Sequence, residues 1–256
     1  MIVAKSIADV QAVLEQHRGR TVALVPTMGA FHEGHLALFR AARRAADCVV
    51  ASLFVNAAQF DDPADLDRYP RDEQRDAALA RNAGVDILFM PSPQEMYPPG
   101  FQTWVDVERL GSILEGAHRP GHFRAVATVC LKLFNIVRPT LAFFGQKDAQ
   151  QVAVVKRMVR DLNLDLEIRV VPTVRDADGL ALSSRNARLS AEERARALAL
   201  PRALLTKNLA SAREALDGLD VDYVEIVDFE PRVLAAAVRV GDTRLIDNVV
   251  VEGENE

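Results

Sequence analysis

Two histidines three residues apart, His32 and His35, follow a turn of small residues in the segment PTMGAFHEGHL, Pro26 to Leu36. Residues 21–26, TVALVP, have the length and β-branched content of a buried strand. An amphipathic stretch opens at about Glu33, with Leu36, Leu38, Phe39 and Ala42 on one helical face. Both imidazoles therefore fall in the first turn of a helix that follows a strand. Free backbone N–H groups and the positive end of the helix dipole attract anions there, and rings at i, i+3 add donors to the same side. The chemistry this arrangement suits is phosphate binding.

Three other motifs are excluded by their details. Gly29 to Gly34 keep the G-x-x-x-x-G spacing of a P-loop, but His35 and Leu36 stand where its lysine and hydroxyl residue belong. HEGH is one residue short of H-E-x-x-H and no third ligand is apparent, so a zinc site is not expected. No G-x-G-x-x-G occurs, which removes the main sequence argument for a nicotinamide or flavin cofactor.

The 256 residues, 49% of them hydrophobic, suffice for one large or two modest domains. No run approaches the length of a membrane span and the N-terminus lacks the apolar core of a secretion signal, so the cytoplasm is the expected location. Cys48 and Cys130 lie in apolar runs and read as reduced, buried thiols. A net charge of −5, with no basic stripe to offset it, gives no general attraction to nucleic acid. Any anionic ligand must be held by local groups.

Outward from the histidines, residues 48–56 and 85–90 read as further buried strands, with a helical pattern between them to about Ala83. Residues 91–121 are irregular and rich in proline and glycine, interrupted by an expected strand TWVDV at 103–107. The spacing of Val126, Val129, Leu133 and Ile136 predicts a helix over 122–137; TLAFFG is a strand, 149–162 a helix and 166–172 a strand. Alternating strands and helices predict a parallel, doubly wound α/β sheet. Beyond Pro172 come a glycine and serine loop, alanine-rich helices over 190–217 and two or three short strands, so the domains are expected at 1–172 and 173–256.

Open α/β sheets bind ligands outside the carboxyl ends of their strands. Four polar segments follow expected strands in this way: HEGH, VNAAQF, GQKDAQQ and, beyond VVPTV, LSSRN. They are expected to meet around one crevice. In content and order the chain resembles the pantothenate synthetase (pantoate–β-alanine ligase) family from near its start to about residue 195. The resemblance rests on PTMGAFHEGH, Val55 to Phe60, RPGHFRAVATVCLKLFNIVRP at 119–139, Phe144 to Gln151, and Asp178 to Leu189. Phe31 for leucine, the missing proline of VNAAQF, Ala125 for glycine and Arg188 for tyrosine depart from the family pattern. The chain reads as short for the family, with only a loose match in its last third.

The resemblance implies a Rossmann-like sheet domain with a smaller α+β lid domain. It also implies a two-step reaction: pantoate and ATP give pantoyl adenylate and pyrophosphate, and β-alanine then displaces AMP. By resemblance the ATP-binding residues are Pro26, Thr27, Met28, Gly29, Ala30, Phe31, His32, Glu33, Gly34, His35, Gly145, Gln146, Lys147, Asp148, Val174, Leu182, Ser183, Ser184 and Arg185. Of these, His32, His35, Lys147, Ser183, Ser184 and Arg185 are the expected catalytic groups. Gln59 and Gln151 would hold pantoate, with Asn56, Tyr69 and Arg119 in or near the same site. Asp148 is a magnesium or ribose contact. Magnesium, a homodimer, and no nucleic-acid or membrane partner complete the expectation. Plainer readings stand beside these: His35 as a helix cap, Lys147 as a solvated loop cation and SSRN as an ordinary surface turn. The rivals in function are another nucleotidyltransferase with the same turn, such as a cytidylyltransferase, and a non-catalytic nucleotide-binding protein.

Overall fold

The computed structural model describes residues 1–251. The chain divides into two compact units, Met1–Phe144 with Val154–Val171, and Gly145–Ala153 with Pro172–Glu256.

Six strands build the sheet of the first unit: β1 (Ile2–Ala4), β2 (Val22–Thr27), β3 (Cys48–Leu53), β4 (Ile87–Phe89), β5 (Leu141–Gly145) and β6 (Glu167–Val171). Their order is β1-β4-β3-β2-β5-β6, and the pairs β1–β4, β4–β3, β3–β2 and β2–β5 are parallel. The helices of this part of the chain are α1 (Ile7–Leu14), α2 (Glu33–Ala45), α3 (Pro63–Asp67), α4 (Glu73–Asn82), α5 (Pro93–Met96), α6 (Glu115–His118), α7 (His122–Val137) and α8 (Ala149–Asp161). The result is the Rossmann-like α/β sheet expected from the alternating pattern. From β2 the chain moves one way to β3 and β4 and the other way to β5 and β6. Such a reversal opens the crevice in which doubly wound sheets hold ligands.

The apolar periodicity explains the packing. Leu38, Phe39 and Ala42 of α2 are buried against Val49 and Ala51 of β3, Leu88 of β4 and Phe143 of β5. Each large side chain removed from water in this way contributes about 1.5–3 kcal/mol. Three expectations need correction. β3 ends at Leu53, short of the expected residue 56, and Ala57–Gln59 in the loop beyond form a 3₁₀ turn. Residues 103–107 form no ladder among the described residues: the Val105 N–H donates to Thr128 Oγ1 (3.0 Å), and Trp104 stacks on Tyr97, their centroids 6.0 Å apart. A side-chain acceptor and an aromatic cluster thus do what a strand partner would have done. β1 has no counterpart among the expected strands, because three residues are too few to show a period.

In the second unit α9 (Ala191–Ala197), α10 (Ala199–Leu205) and α11 (Leu209–Ala215) precede an antiparallel sheet of β7 (Asp220–Asp228), β8 (Arg232–Val240) and β9 (Thr243–Val250), ordered β7-β8-β9. Leu200, Leu204, Leu216, Leu234 and Val238 form its core. The strands run nine, nine and eight residues, longer than expected. Among the described residues no helix is long and apolar enough to cross a membrane.

Candidate active site

In the first unit β2 delivers the chain into the histidine turn. Thr27 is tied to β3 there, its N–H donating to Ser52 Oγ (3.2 Å) and its hydroxyl to the Ser52 carbonyl. Gly29 and Ala30 then adopt left-handed backbone, φ 87° and 53°. The buried Asp76 carboxylate, from α4, accepts the next amides, Ala30 N–H at 2.7 Å and Phe31 N–H at 2.8 Å. A Cβ on Gly29 would sit 3.0 Å from Asp76 Oδ2, so glycine serves both the φ and the close approach.

The histidines cap their own helix. His32 Nδ1 accepts the Gly34 N–H (3.1 Å), and His35 Nδ1 accepts the His32 N–H (3.3 Å). Of the amides expected to be free at the helix start, the Gly34 N–H is therefore taken by an imidazole. An Nδ1 that accepts carries no hydrogen, so these partners assign the proton of each neutral ring to Nε2. Capping and ligand binding therefore use opposite atoms of one ring, and the two readings of His35 are compatible. The rings lie 4.2 Å apart, and Phe31 backs His35 at 5.4 Å. A Cβ on Gly34 would meet His32 Cε1 at 2.9 Å, which explains a glycine inside the helix.

Three of the residues assigned to pantoate, Asn56, Gln59 and Arg119, come together in the same unit, and a fourth, Tyr69, packs on Phe60 beside Gln59 in the chain. Asn56 Nδ2 donates to Gln59 Oε1 (2.9 Å) and to the Ala125 carbonyl (3.4 Å). Arg119 donates to the Gln59 carbonyl (2.8 Å) and to Asp61 (3.0 Å), and Tyr69 meets Phe60 edge to face at 5.5 Å. His122, of the RPGHF run, completes the network. Its Nδ1 lies 3.0 Å from the Gln59 carbonyl and its Nε2 3.3 Å from Arg119 Nη1. A carbonyl only accepts and a guanidinium only donates, so this ring is neutral with its proton on Nδ1. Burial, followed by the Arg119 charge, lowers its pKa to about 4. Asn56 Oδ1 is buried and finds no hydrogen-bond partner among the described residues.

The second unit carries the remaining groups. Lys147 lies in the 3₁₀ turn Gln146–Asp148 after β5, its Nζ 3.6 Å from Asp148 Oδ1. Gln151 occupies the third position of α8 and, like Lys147, groups with this unit. Ser183 Oγ accepts the Arg185 N–H (3.2 Å) and so caps the 3₁₀ turn Ser184–Arg188. Leu182 N–H donates to the Val174 carbonyl (2.9 Å), closing a hairpin that ends at the serines. Among the described residues no three His, Cys, Asp or Glu side chains cluster as a metal cage.

Sequence reasoning missed Asp76, His122 and the pair Asp247 and Asn248. His122 had a signal, its place in RPGHF. The others had none, because their partners are distant in the chain.

Together these features define an α/β protein with imidazole, amide and cationic donors in the turns after its strands, a donor set suited to anionic substrates. The family model described as pantoate-beta-alanine ligase matches residues 2–250, and the chain belongs to that family. It is 50% identical to the pantothenate synthetase of Pelotomaculum thermopropionicum over 98% of this chain and 99% of that protein. The crystal structure of pantothenate synthetase from Thermus thermophilus matches with a TM-score of 0.92 at 46% identity, covering 98% of this chain and 99% of that one. A pantoate-beta-alanine ligase from Francisella tularensis, complexed with beta-gamma ATP and beta-alanine, matches with a TM-score of 0.87 at 33% identity over 98% and 97%. The match through residue 250 carries the resemblance through the last third, and an alignment of 279 positions for 98% of this 256-residue chain agrees with its being short for the family.

Proposed function

We propose that this chain joins pantoate to β-alanine at the expense of ATP. A pantoate carboxylate oxygen attacks the α-phosphorus and the bond to the departing pyrophosphate breaks. The β-alanine nitrogen then attacks the acyl carbon, AMP leaves and the amine proton passes to water. Adenylation is needed because a free carboxylate does not acylate an amine. Both steps move negative charge onto phosphate oxygens, so preorganised donors are the main catalytic resource.

The residues take the following roles. His32 and His35 donate Nε2–H to the phosphates, and Lys147 adds a point charge. Ser183, Ser184 and Arg185 close over pyrophosphate, with unchanged hydrogen exchange at residues 178–190 on ATP addition counting against that closure. Gln59, Asn56, Tyr69 and Arg119, with Gln151, hold pantoate, and the orphaned Asn56 Oδ1 suits one of its hydroxyls. The remaining nucleotide contacts come from 26–31, Glu33, Gly34, Gly145, Gln146, Val174 and Leu182. Magnesium enters with ATP. Asp148, a single half-exposed carboxylate, fits an ion whose shell is completed by phosphates and water. A homodimer working in the cytoplasm belongs to the same reading, and a monomeric mass by light scattering would remove the dimer from it.

The observation that carries the reading is the Asn56–Gln59–Arg119–His122 network, a set of amide, guanidinium and imidazole groups additional to the phosphate donors. A nucleotidyltransferase of another specificity has no use for it, and the relatives matched over nearly the whole chain do not favour that alternative. ATP–pyrophosphate exchange is the test. Exchange that requires pantoate is expected; exchange with a phosphate monoester but not pantoate would overturn the proposal.

A further inference from the structure

The last strand, β9, contains two adjacent buried polar residues, Asp247 and Asn248, at 3% and 4% exposure. Neither is needed to complete β9's ladder, whose backbone pairs with β8 at Ala236↔Asp247 and Ala235↔Asn248. Their side chains reach two other segments of the second unit. Asn248 Nδ2 donates to two consecutive carbonyls, Gln146 and Lys147, both at 2.9 Å, while its Oδ1 accepts Gln146 Nε2 at 3.0 Å. Both amide hydrogens and the oxygen are thereby used on one turn. The Asn248 N–H donates to Asp247 Oδ1 (2.8 Å), and the Asp247 carboxylate takes a fork of two bonds from Arg175, at 2.6 and 3.1 Å. Arg175 Nη1 also donates to the Gly179 carbonyl (3.1 Å), inside the hairpin closed by Val174 and Leu182 that leads directly to Ser183.

We infer that Asn248 and Asp247 are positioning residues for the ligase reaction, Asn248 setting the backbone of the Lys147 turn and Asp247, through Arg175, the hairpin that presents Ser183–Arg185. This deepens the reading above and rests on its assignment of both segments to the ATP phosphates. The chemistry is specific. Two carbonyls facing one side chain require a group with two donors on one atom, which an asparagine supplies and an aspartate of the same shape does not. Because the Lys147 backbone is fixed from a strand 101 residues away, its ammonium starts from a defined place when it meets a phosphate. Arg175 is likewise held in a planar fork, a geometry that lysine cannot copy.

The test is the affinity of the full-length protein for ATP and for AMP, measured by calorimetry with magnesium. Asn248→Asp and the uncharged Asn248→Ser are read in parallel, so that an added negative charge is separable from lost donors. Both variants are expected to weaken ATP binding about tenfold and AMP binding less than twofold, since AMP lacks the outer phosphates. In a Lys147→Ala background Asn248→Ser is expected to add less than a twofold loss. Equal loss for ATP and AMP, equal loss in both backgrounds, or unchanged ATP affinity would overturn the inference and leave Asn248 a purely structural residue. Should Asn248→Asp not fold, Asn248→Ser and Arg175→Lys decide the same question, the latter with an expected loss for ATP over AMP. Wild-type protein that binds ATP yet shows no pantoate-dependent exchange would sink the functional proposal alone, with the ATP-against-AMP result still readable.

Discussion

The histidine turn of the first unit is braced largely from within: His32 and His35 cap their own helix through contacts two and three residues apart, and one distant carboxylate, Asp76, holds the turn before them. Among the described residues the lysine turn of the second unit shows no side chain capping its own backbone. Its carbonyls are held by Asn248, 101 and 102 residues away. A phosphate-binding turn made of imidazoles carries its own acceptors, because each ring has a second nitrogen for the backbone. A lysine has donors only, so the turn that offers it must borrow its order from elsewhere.

The strongest way to strain this comparison is to remove the donors themselves. Lys147→Ala and His35→Ala are each expected to lower adenylate formation at least about 10²-fold, roughly 2.7 kcal/mol. They should differ in stability. His35→Ala also strips a cap, at about 1 kcal/mol, whereas Lys147→Ala leaves chemical denaturation unchanged. Near-normal turnover in both would refute their roles, and identical stability losses would erase the contrast.

Asp76→Ala probes the one long-range brace of the histidine turn. Two buried backbone N–H groups lose their acceptor, and the expected cost is about 2 kcal/mol in urea unfolding. A loss below a few tenths would mean that water or a neighbour replaces the carboxylate. Gly34→Ala is milder and more local: its Cβ would press on His32 at 2.9 Å and displace the ring from its amide. Exchange activity should fall roughly tenfold, about 1.4 kcal/mol, with the fold retained. Full activity would show that the cap does not position the imidazole.

A further effect is expected from pH. The folded His122 ring resists protonation until about pH 4, below its ordinary 6.5, because it is buried beside Arg119. Between these values the unfolded chain binds the extra proton, so stability falls as pH drops from about 6.5 towards 4 and is fully present above 6.5. Denaturant titrations of wild type and His122→Gln should show a shallower slope for the variant across that window; parallel slopes would place the ring's titration in an ordinary environment.

What was legible beforehand follows the range of the interactions. The strand before the histidines, the amphipathic α2, the helix over 122–137 and the alternating α/β pattern are written in periods of two and 3.6, which a chain displays along its own length. The candidate groups His32, His35, Gln59, Lys147 and Ser183–Arg185 stood in short motifs for the same reason. TWVDV shows the limit: its alternation suited a strand, but the acceptor it found was the Thr128 hydroxyl on α7.

The amino-acid order by itself thus determined the class of sheet, the turns that follow its strands and the chemical character of the residues offered there. Only the tertiary structure decided which atom of each imidazole caps and which carries the proton, that Asp76 holds one turn, that His122 is neutral under Gln59, and that the end of the chain holds the lysine turn. The imidazole assignment depends on backbone geometry two and three residues away, and the other choices on partners dozens to a hundred residues distant. Such partners satisfy buried backbone groups whose needs appear only once water has been excluded, and no local period records them.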